Sequence, residues 1–497
     1  MARLVLVSNR TALPQGEGTQ RAGGLEVVLA PILKTVPCLW FGWSGKVVRA
    51  DKVATKTVDG KNARYVTTDL AKEDYEEYYN GFANRVLWPV LHYHIDMTEF
   101  TRRDLTGYFR VNRHFANELT KILRPDDVVW VHDYHLIPMA AELRQRGHAN
   151  ALGFFLHTPF PAPEVVTVLP NHDQLLPQLL QYDLVGFQTE TDVGNFVRYL
   201  VAERRGADRG SIEATNGQFV FTSRGHKTRI GNFPVGIDVA QFERLARRAV
   251  RSSFVRDVVE SLSGRALLIG VDRLDYSKGL IQRMDAIERF LDMYPAWSGK
   301  VTYLQIAPKS RSEIPTYAEL EQAVGGAVGR INGKCGEIAW TPIRYLNRAF
   351  GRSTLAGLYR SARVAVVTPL RDGMNLVAKE FIAAQDAADP GVLILSRFTG
   401  AAVECEGALL VNPYDAESVA RAIADALDMT LAERRRRHES NLEALERNGG
   451  NEWSTRFLQS LQHGREPLIR PAPSGLDSLP PSPSFTVKDN RHGGSTA

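Results

Sequence analysis

Two stretches of the chain hold polar residues more densely than packing requires. Asp272-Arg273-Leu274-Asp275-Tyr276-Ser277-Lys278-Gly279 sets two cations five residues apart on a loop that ends in glycine. Arg273 offers a planar fork and Lys278 a point charge, so together they can hold one pyrophosphate without a metal. Taken alone, the pair reads equally as surface salt bridges with Asp272 and Asp275. Thr368-Pro369-Leu370-Arg371-Asp372-Gly373-Met374-Asn375-Leu376-Val377-Ala378-Lys379-Glu380 runs through a tight turn at Gly373 into an apolar helix. The first amides of that helix can face an anion or sugar hydroxyls, and Glu380 can grip a ribose diol.

The first half of the chain supplies groups of another kind. Ser8-Asn9-Arg10 follows an apolar run, and Arg21-Ala22-Gly23-Gly24-Leu25 opens an apolar helix with a glycine pair that lets backbone amides approach phosphate. His132-Asp133-Tyr134-His135 and His157-Thr158-Pro159-Phe160-Pro161 follow two further apolar runs. With Tyr78-Tyr79-Asn80-Gly81-Phe82 and Leu87-Trp88-Pro89 they make a sugar pocket: flat rings for C–H faces, carboxylate and imidazole for hydroxyls. The pairs His92/His94 and His132/His135 have no Cys or Glu beside them to complete a metal site.

Such groups need a scaffold that brings strand ends together. Leu4–Val7, Leu39–Trp43, Val128–Val131, Leu152–Leu156 and Leu184–Phe187 are short runs, apolar on both faces and separated by amphipathic stretches, the pattern of a parallel sheet covered on two sides. A second set follows at Ala266–Val271, Val301–Ile306, Val364–Thr368, Val392–Leu395 and Leu409–Val411. The fold expected is α/β, with two doubly wound domains facing a cleft. Ligands in such sheets bind beyond the carboxyl ends of the strands, where all these polar residues fall. Gly231–Asp238 reads as the hinge, giving a first domain over 1–238 and a second over 239–465 that includes a last helix from Trp453 to Leu461. The remainder, 466–497, carries six of the 25 prolines and no periodicity, and is expected to be a disordered tail.

Composition bounds the rest. The 497 residues are 44% hydrophobic and 24% charged, which excludes overall disorder, and the formal charge of +5 on so large a surface is no nucleic-acid footprint. Arg434–Arg437 reads as a solvated helix face. Three cysteines without short spacing indicate neither a disulfide framework nor a zinc site, so the expectation is a cytoplasmic protein that contacts neither nucleic acid nor membrane. The chain lacks Gly-x-Gly-x-x-Gly, the P-loop Gly-Lys-Ser/Thr, Gly-x-Ser-x-Gly and His-Glu-x-x-His, which argues against dehydrogenase, NTPase, serine hydrolase and zincin chemistry. It also lacks an Asp-x-Asp triplet, so neither metal nor cofactor is expected.

Leu6–Arg10, Ala22–Leu25, Leu39–Gly45, Trp130–Leu136, Asp272–Gly279 and Thr368–Glu380, in that order, resemble the alpha,alpha-trehalose-phosphate synthases. These retaining glucosyltransferases join a nucleotide-activated glucose to glucose 6-phosphate. The resemblance runs to about Leu461 and implies the two-Rossmann, GT-B architecture with the donor in the cleft. By resemblance, Arg273 and Lys278 hold the donor diphosphate, Gly23 and Gly24 lie beside it, and Phe350 with Leu376, Val377, Ala378, Lys379 and Glu380 lines the nucleoside. Asp372 and His157 would face the donor glucose. Arg10 and Arg311 would meet the acceptor phosphate, with Tyr79, Trp88 and Asp133 around the acceptor sugar. The resemblance further implies a role in trehalose synthesis and osmoprotection; a homo-oligomer is expected, with its state left open by the sequence. UDP-glucose is the expected donor, although sequence leaves uracil, guanine and adenine undistinguished. A synthase with another phosphorylated acceptor, or a non-catalytic regulatory homologue, is the alternative. The latter should have lost phosphate cations, whereas Arg10, Arg273, Lys278 and Arg311 are all present.

Overall fold

The structure, a computed structural model, describes residues 3–11, 24–60, 62–203, 210–215, 217–311 and 313–462. Gly23 and the expected disordered tail lie outside the described residues.

Two sheets organise the chain, as its apolar runs imply. The first holds β1 (Leu4–Arg10), β2 (Cys38–Val48), β3 (Thr55–Asp59), β4 (Ala63–Ala71), β5 (Val128–His132), β6 (Ala151–Phe155), β7 (Leu184–Phe187), β8 (Ser211–Thr215), β9 (Gln218–Ser223) and β10 (His226–Asn232). Their spatial order is β3-β4-β2-β1-β5-β6-β7-β10-β9-β8, parallel from β4 to β10 with antiparallel pairings at both edges. The second holds β11 (Ala266–Val271), β12 (Val301–Ile306), β13 (Ile343–Leu346), β14 (Val364–Val367), β15 (Val392–Ser396) and β16 (Leu409–Val411). Its order, β13-β12-β11-β14-β15-β16, is all parallel and reverses between β11 and β14. That reversal opens a crevice at the strand ends, the usual ligand site of such sheets.

Alternation explains why the runs are apolar throughout. Val5 and Val7 enter the core on one face of the first sheet, while Leu4 and Leu6 enter the other, which continues into the second half through Leu267 and Ile269. Leu268 faces the third cluster. Each central strand therefore buries both faces.

Three features differ from expectation. The edge strands β3 and β8, rich in exposed polar residues, and the four-residue β13 carry no continuous apolar run. Gly231 and Asn232, read as hinge, complete β10 beside β7, so the connection between halves is shorter. The last helix, Gly450–Leu461, packs on the first sheet and not on the second half with which it was grouped. There Trp130 stacks on Phe457 with ring centres 4.5 Å apart, and side-chain-free Gly153 and Gly186 make room for Phe457. The apolar face of that helix finds its cover on the far side of the chain crossing.

Candidate active site

On the first half, β1 delivers Ser8, Asn9 and Arg10. Ser8 Oγ accepts from Trp40 Nε1 at 2.7 Å, and Asn9 Oδ1 accepts from Tyr78 at 2.9 Å, so the strand end is fixed while exposed Arg10 lies 5.7 Å from the Trp43 ring. Gly24 caps the following helix with φ 89°, a conformation that favours glycine. A π-helix, Tyr75–Leu87, runs directly into Trp88. Its Tyr79 stacks between Tyr75, 5.5 Å away, and His135, 6.0 Å away.

Beyond β5, Asp133 turns the chain at φ 77°, a conformation that costs of order 1–3 kcal/mol and is retained where geometry matters. Burial pushes its carboxyl up to about 6, against the pull of the Tyr134 and His157 backbone N–H groups and of Arg311 and Arg273. The His157 amide donates to Asp133 Oδ1 at 3.3 Å, tying the ends of β5 and β6 together. The His157 ring lies beside His132, whose Nδ1 is 3.2 Å from His157 Nε2. Burial holds His157 neutral, its pKa lowered to about 3.

On the second half, Arg283 is buried beneath the loop after β11. Its guanidinium donates to Asp272 at 2.7 Å, Thr368 at 2.9 Å, Gln305 at 3.1 Å and the Lys278 carbonyl at 3.2 Å. One cation thus locks both strand ends that carry the candidate donor groups. Lys278 Nζ bonds Asp372 at 2.6 Å, and Asn375 Nδ2 bonds the same carboxylate oxygen at 3.0 Å. Burial raises the Asp372 pKa, but Lys278, His92 and Asn375 together outweigh it and the net shift is downward. Asn375, at φ 77°, caps the helix Leu376–Ala384 by accepting from the Ala378 amide at 3.1 Å. Glu380 takes Arg352 at 3.2 Å, and Phe350 packs 5.7 Å from Phe254.

The halves meet around Arg311. Its guanidinium lies 4.0 Å over the Trp88 ring and donates to Tyr317 at 2.6 Å, to Asp275 at 3.2 Å and to Tyr134 at 3.2 Å, while its Nε is buried without a partner. Trp88 Nε1 donates across the cleft to Asp275 at 3.3 Å. Burial would raise the Asp275 pKa, but Arg311, Arg273 and Lys278 hold it well below the carboxylate range. Arg273 is half-exposed, 5.6 Å from Trp88. On the other side of the cleft a Cβ on Gly373 would land on the His157 carbonyl oxygen, so only glycine allows this approach.

The structure therefore gathers Trp88, Asp133, His157, Arg273, Lys278, Arg311 and Asp372 into one cleft. Lys379 is different: its ammonium bonds the Val235 carbonyl and Glu404, each at 2.8 Å. A buried ammonium needs such acceptors, so this side chain serves the interdomain connection and not the expected nucleoside wall. Sequence reasoning missed Tyr317 and Arg283; it saw Tyr134 only as one of the polar residues after β5 and Trp453 only as the start of the last helix. Asp275 was visible only as a carboxylate between two cations, and nothing in the sequence marks Tyr317, whose hydroxyl arrives from a helix 42 residues later.

Two doubly wound halves with arginine and lysine side chains at facing strand ends define a two-domain glycosyltransferase of GT-B type. Residues 4–463 match glycosyltransferase family 20, and the chain belongs to that family. It is 50% identical to trehalose-6-phosphate synthase of Sinorhizobium fredii, over 93% of this chain and 98% of that one. An alpha,alpha-trehalose-phosphate synthase (UDP-forming) from Burkholderia xenovorans, solved in complex with glucose-6-phosphate, superposes with a TM-score of 0.89 at 45% identity, covering 93% of this chain and 100% of that one. An E. coli structure bound with UDP-2-fluoro glucose gives 0.86 at 43% identity, covering 93% and 99%.

Proposed function

We propose that this glycosyltransferase moves glucose from UDP-glucose to glucose 6-phosphate with retention, giving alpha,alpha-trehalose 6-phosphate. The carrying observation is a cleft that gathers cations from two places: Arg311 seated on Trp88 between the halves, and, from the loop after β11, Arg273, which reaches the same Trp88 and Asp275, with Lys278 paired to Asp372. One phosphorylated sugar and one sugar diphosphate need such a set, and the Sinorhizobium and Burkholderia relatives carry the corresponding names.

In this reading the first half takes the acceptor and the second the donor. Lys278 and Arg273 neutralise charge growing on the departing diphosphate, while Arg10 and Arg311 hold the acceptor phosphate, Tyr79, Trp88 and Asp133 flank its sugar, and His157 and Asp372 orient the donor glucose. The leaving diphosphate oxygen accepts the acceptor's proton on the face it leaves, so neither Asp133 nor Asp372 is required as a nucleophile. Phe350 with Leu376, Val377, Ala378 and Glu380 lines the nucleoside, and Gly24 lies beside the diphosphate. We also infer a cytoplasmic, oligomeric enzyme; among the described residues no helix is long and apolar enough to cross a membrane.

The test is a steady-state assay of the purified chain with UDP-, GDP- and ADP-glucose against glucose 6-phosphate and glycerol phosphate, with the linkage read by NMR. Turnover of UDP-glucose onto glucose 6-phosphate with an alpha,alpha linkage is expected. Preference for glycerol phosphate, or no turnover with any donor, overturns the reading.

A further inference from the structure

Beneath the cleft lies a histidine that the reaction does not touch. His132 ends β5 with its side chain fully buried, and Nδ1 is 3.2 Å from Nε2 of His157. Its other nitrogen, Nε2, is buried with no partner. Around it stand aromatic rings: Trp130 at 4.6 Å, Trp453 at 6.4 Å, and Phe457 stacked behind Trp130. The indole N–H groups of Trp130 and Trp453 are likewise buried without partners, so neither donates to His132 Nε2.

This box decides the tautomer. A bare lone pair on His132 Nε2 would lie buried among aromatic rings with no donor bonded to it. An N–H is better accommodated beside electron-rich rings than an unpaired lone pair. The proton therefore sits on Nε2, and Nδ1 is the acceptor. His157 Nε2 must then be the donor in the bond between the two rings, which leaves His157 Nδ1 unprotonated. Desolvation depresses both imidazoles below the physiological range, so neither ring gains a second proton to reverse this order.

We propose that His132 is a positioning residue, which, with the Trp130 and Trp453 box, fixes His157 as the Nε2–H tautomer and so presents Nδ1 as a hydrogen-bond acceptor to a hydroxyl of the donor sugar. The last clause rests on the reading that His157 faces the donor glucose. The tautomer itself does not. The last helix thereby contributes to the site, because Trp453 closes the box from Gly450–Leu461 and meets the His157 ring edge-on at 6.0 Å.

The test begins on the substrate-free full chain labelled with 15N-histidine. Ring nitrogen shifts, assigned by comparison with His132→Leu and His157→Ala, should show His157 protonated at Nε2 and bare at Nδ1. The Nδ1–H tautomer, or a mixture, overturns the proposal whatever the substrate. Kinetics follow with UDP-glucose and its monodeoxy analogues. Loss of a single hydrogen bond should lower kcat/KM for UDP-glucose about 10-fold in His132→Leu, with the acceptor KM unchanged. One deoxy analogue that is poor with the wild type should no longer be discriminated. His132→Asn, whose Oδ1 can take the place of Nδ1, should restore activity to within about 3-fold. Equal losses in the Leu and Asn variants that merely follow their melting temperatures would mark a structural role and overturn the proposal. A correct tautomer with no analogue affected by His157→Ala would instead remove the donor-facing reading and, with it, the functional clause.

Discussion

At the scale of single residues, Arg311 and Arg273 differ in burial, and this separates their kinetic effects. Arg311 is enclosed by Trp88, Tyr134, Tyr317 and Asp275, whereas Arg273 is half-exposed. The acceptor phosphate keeps its charge throughout the reaction, so its grip should act on ground and transition states alike. Arg311→Lys keeps a cation beside Asp275 but loses the planar fork, and should raise KM for glucose 6-phosphate about 10-fold with kcat within about 3-fold. Arg273→Ala should instead lower kcat about 10- to 150-fold, since charge grows on the diphosphate as the bond breaks. Steady-state kinetics with both substrates varied decide between these patterns, and exchanged patterns would reverse the assignment. Asp133 adds a pH dependence. Its raised carboxyl is charged above about 6 and can then accept from an acceptor hydroxyl; below that it protonates and the bond is lost. The acceptor phosphate titrates near the same pH, with a second pKa of about 6, so the useful quantity is kcat/KM of the wild type divided by that of Asp133→Asn. This ratio should be flat above pH 7 and fall towards acid through about 6. A ratio constant from pH 5 to 8 would show that Asp133 does not act as a carboxylate here.

At the scale of elements, the helix Leu376–Ala384 is aimed by one asparagine doing two tasks. Asn375 holds φ 77° and caps the Ala378 amide, while its Nδ2 steadies Asp372. Glycine supplies the backbone conformation without the side chain, and alanine supplies neither. Asn375→Gly should therefore cost a few tenths of a kcal/mol of stability and Asn375→Ala about 2 kcal/mol, while both lose kcat to a similar degree because Asp372 loses the same bond. Urea denaturation beside kinetics checks this, and equal stability of the two variants would remove the backbone argument. The elements also show what could be read before folding. Runs such as Leu4–Val7 and Ala266–Val271 were legible because central parallel strands bury both faces. β3 and β8 were not, since an edge strand with exposed alternate residues looks like a polar loop. The loops after β11 and β14 were legible as candidate sites through polar density at strand ends. Arg283, Tyr317 and Lys379 did not, because their roles depend on which buried acceptors the tertiary fold brings to them.

At the scale of the whole molecule, the chain crosses between halves twice at one place. The first crossing runs through Gly236, where a side chain would collide with the Asn448 carbonyl, and the second returns with the Gly450 amide bonded to Ile237 O at 2.9 Å. The last helix is thus part of the first half's core by packing, although it follows the second half in sequence. Trp453, Phe457, Leu458 and Leu461 are each at most 2% exposed. At about 1.5–3 kcal/mol per fully buried apolar side chain, these four contribute about 6–12 kcal/mol as an upper estimate. That is comparable with the entire stability of an ordinary domain, about 5–15 kcal/mol. Residues 466–497 differ in kind: this proline-rich sequence beyond the family match has few apolar groups to offset the entropy of ordering. Ending the chain at Gln462 should therefore leave kcat unchanged and Tm within about 2 °C of the full length. Ending it at Gly449 should expose Trp130 and Phe155, remove Trp453 from beside His132 and His157, and yield protein that unfolds at least 10 °C lower or fails to accumulate soluble. Calorimetry and turnover on the two shortened chains make the comparison. A large loss at Gln462 would show that the segment from 463 onward contributes to the body of the enzyme, and a stable, active chain ending at Gly449 would contradict the packing of the last helix as the closing element of the first half.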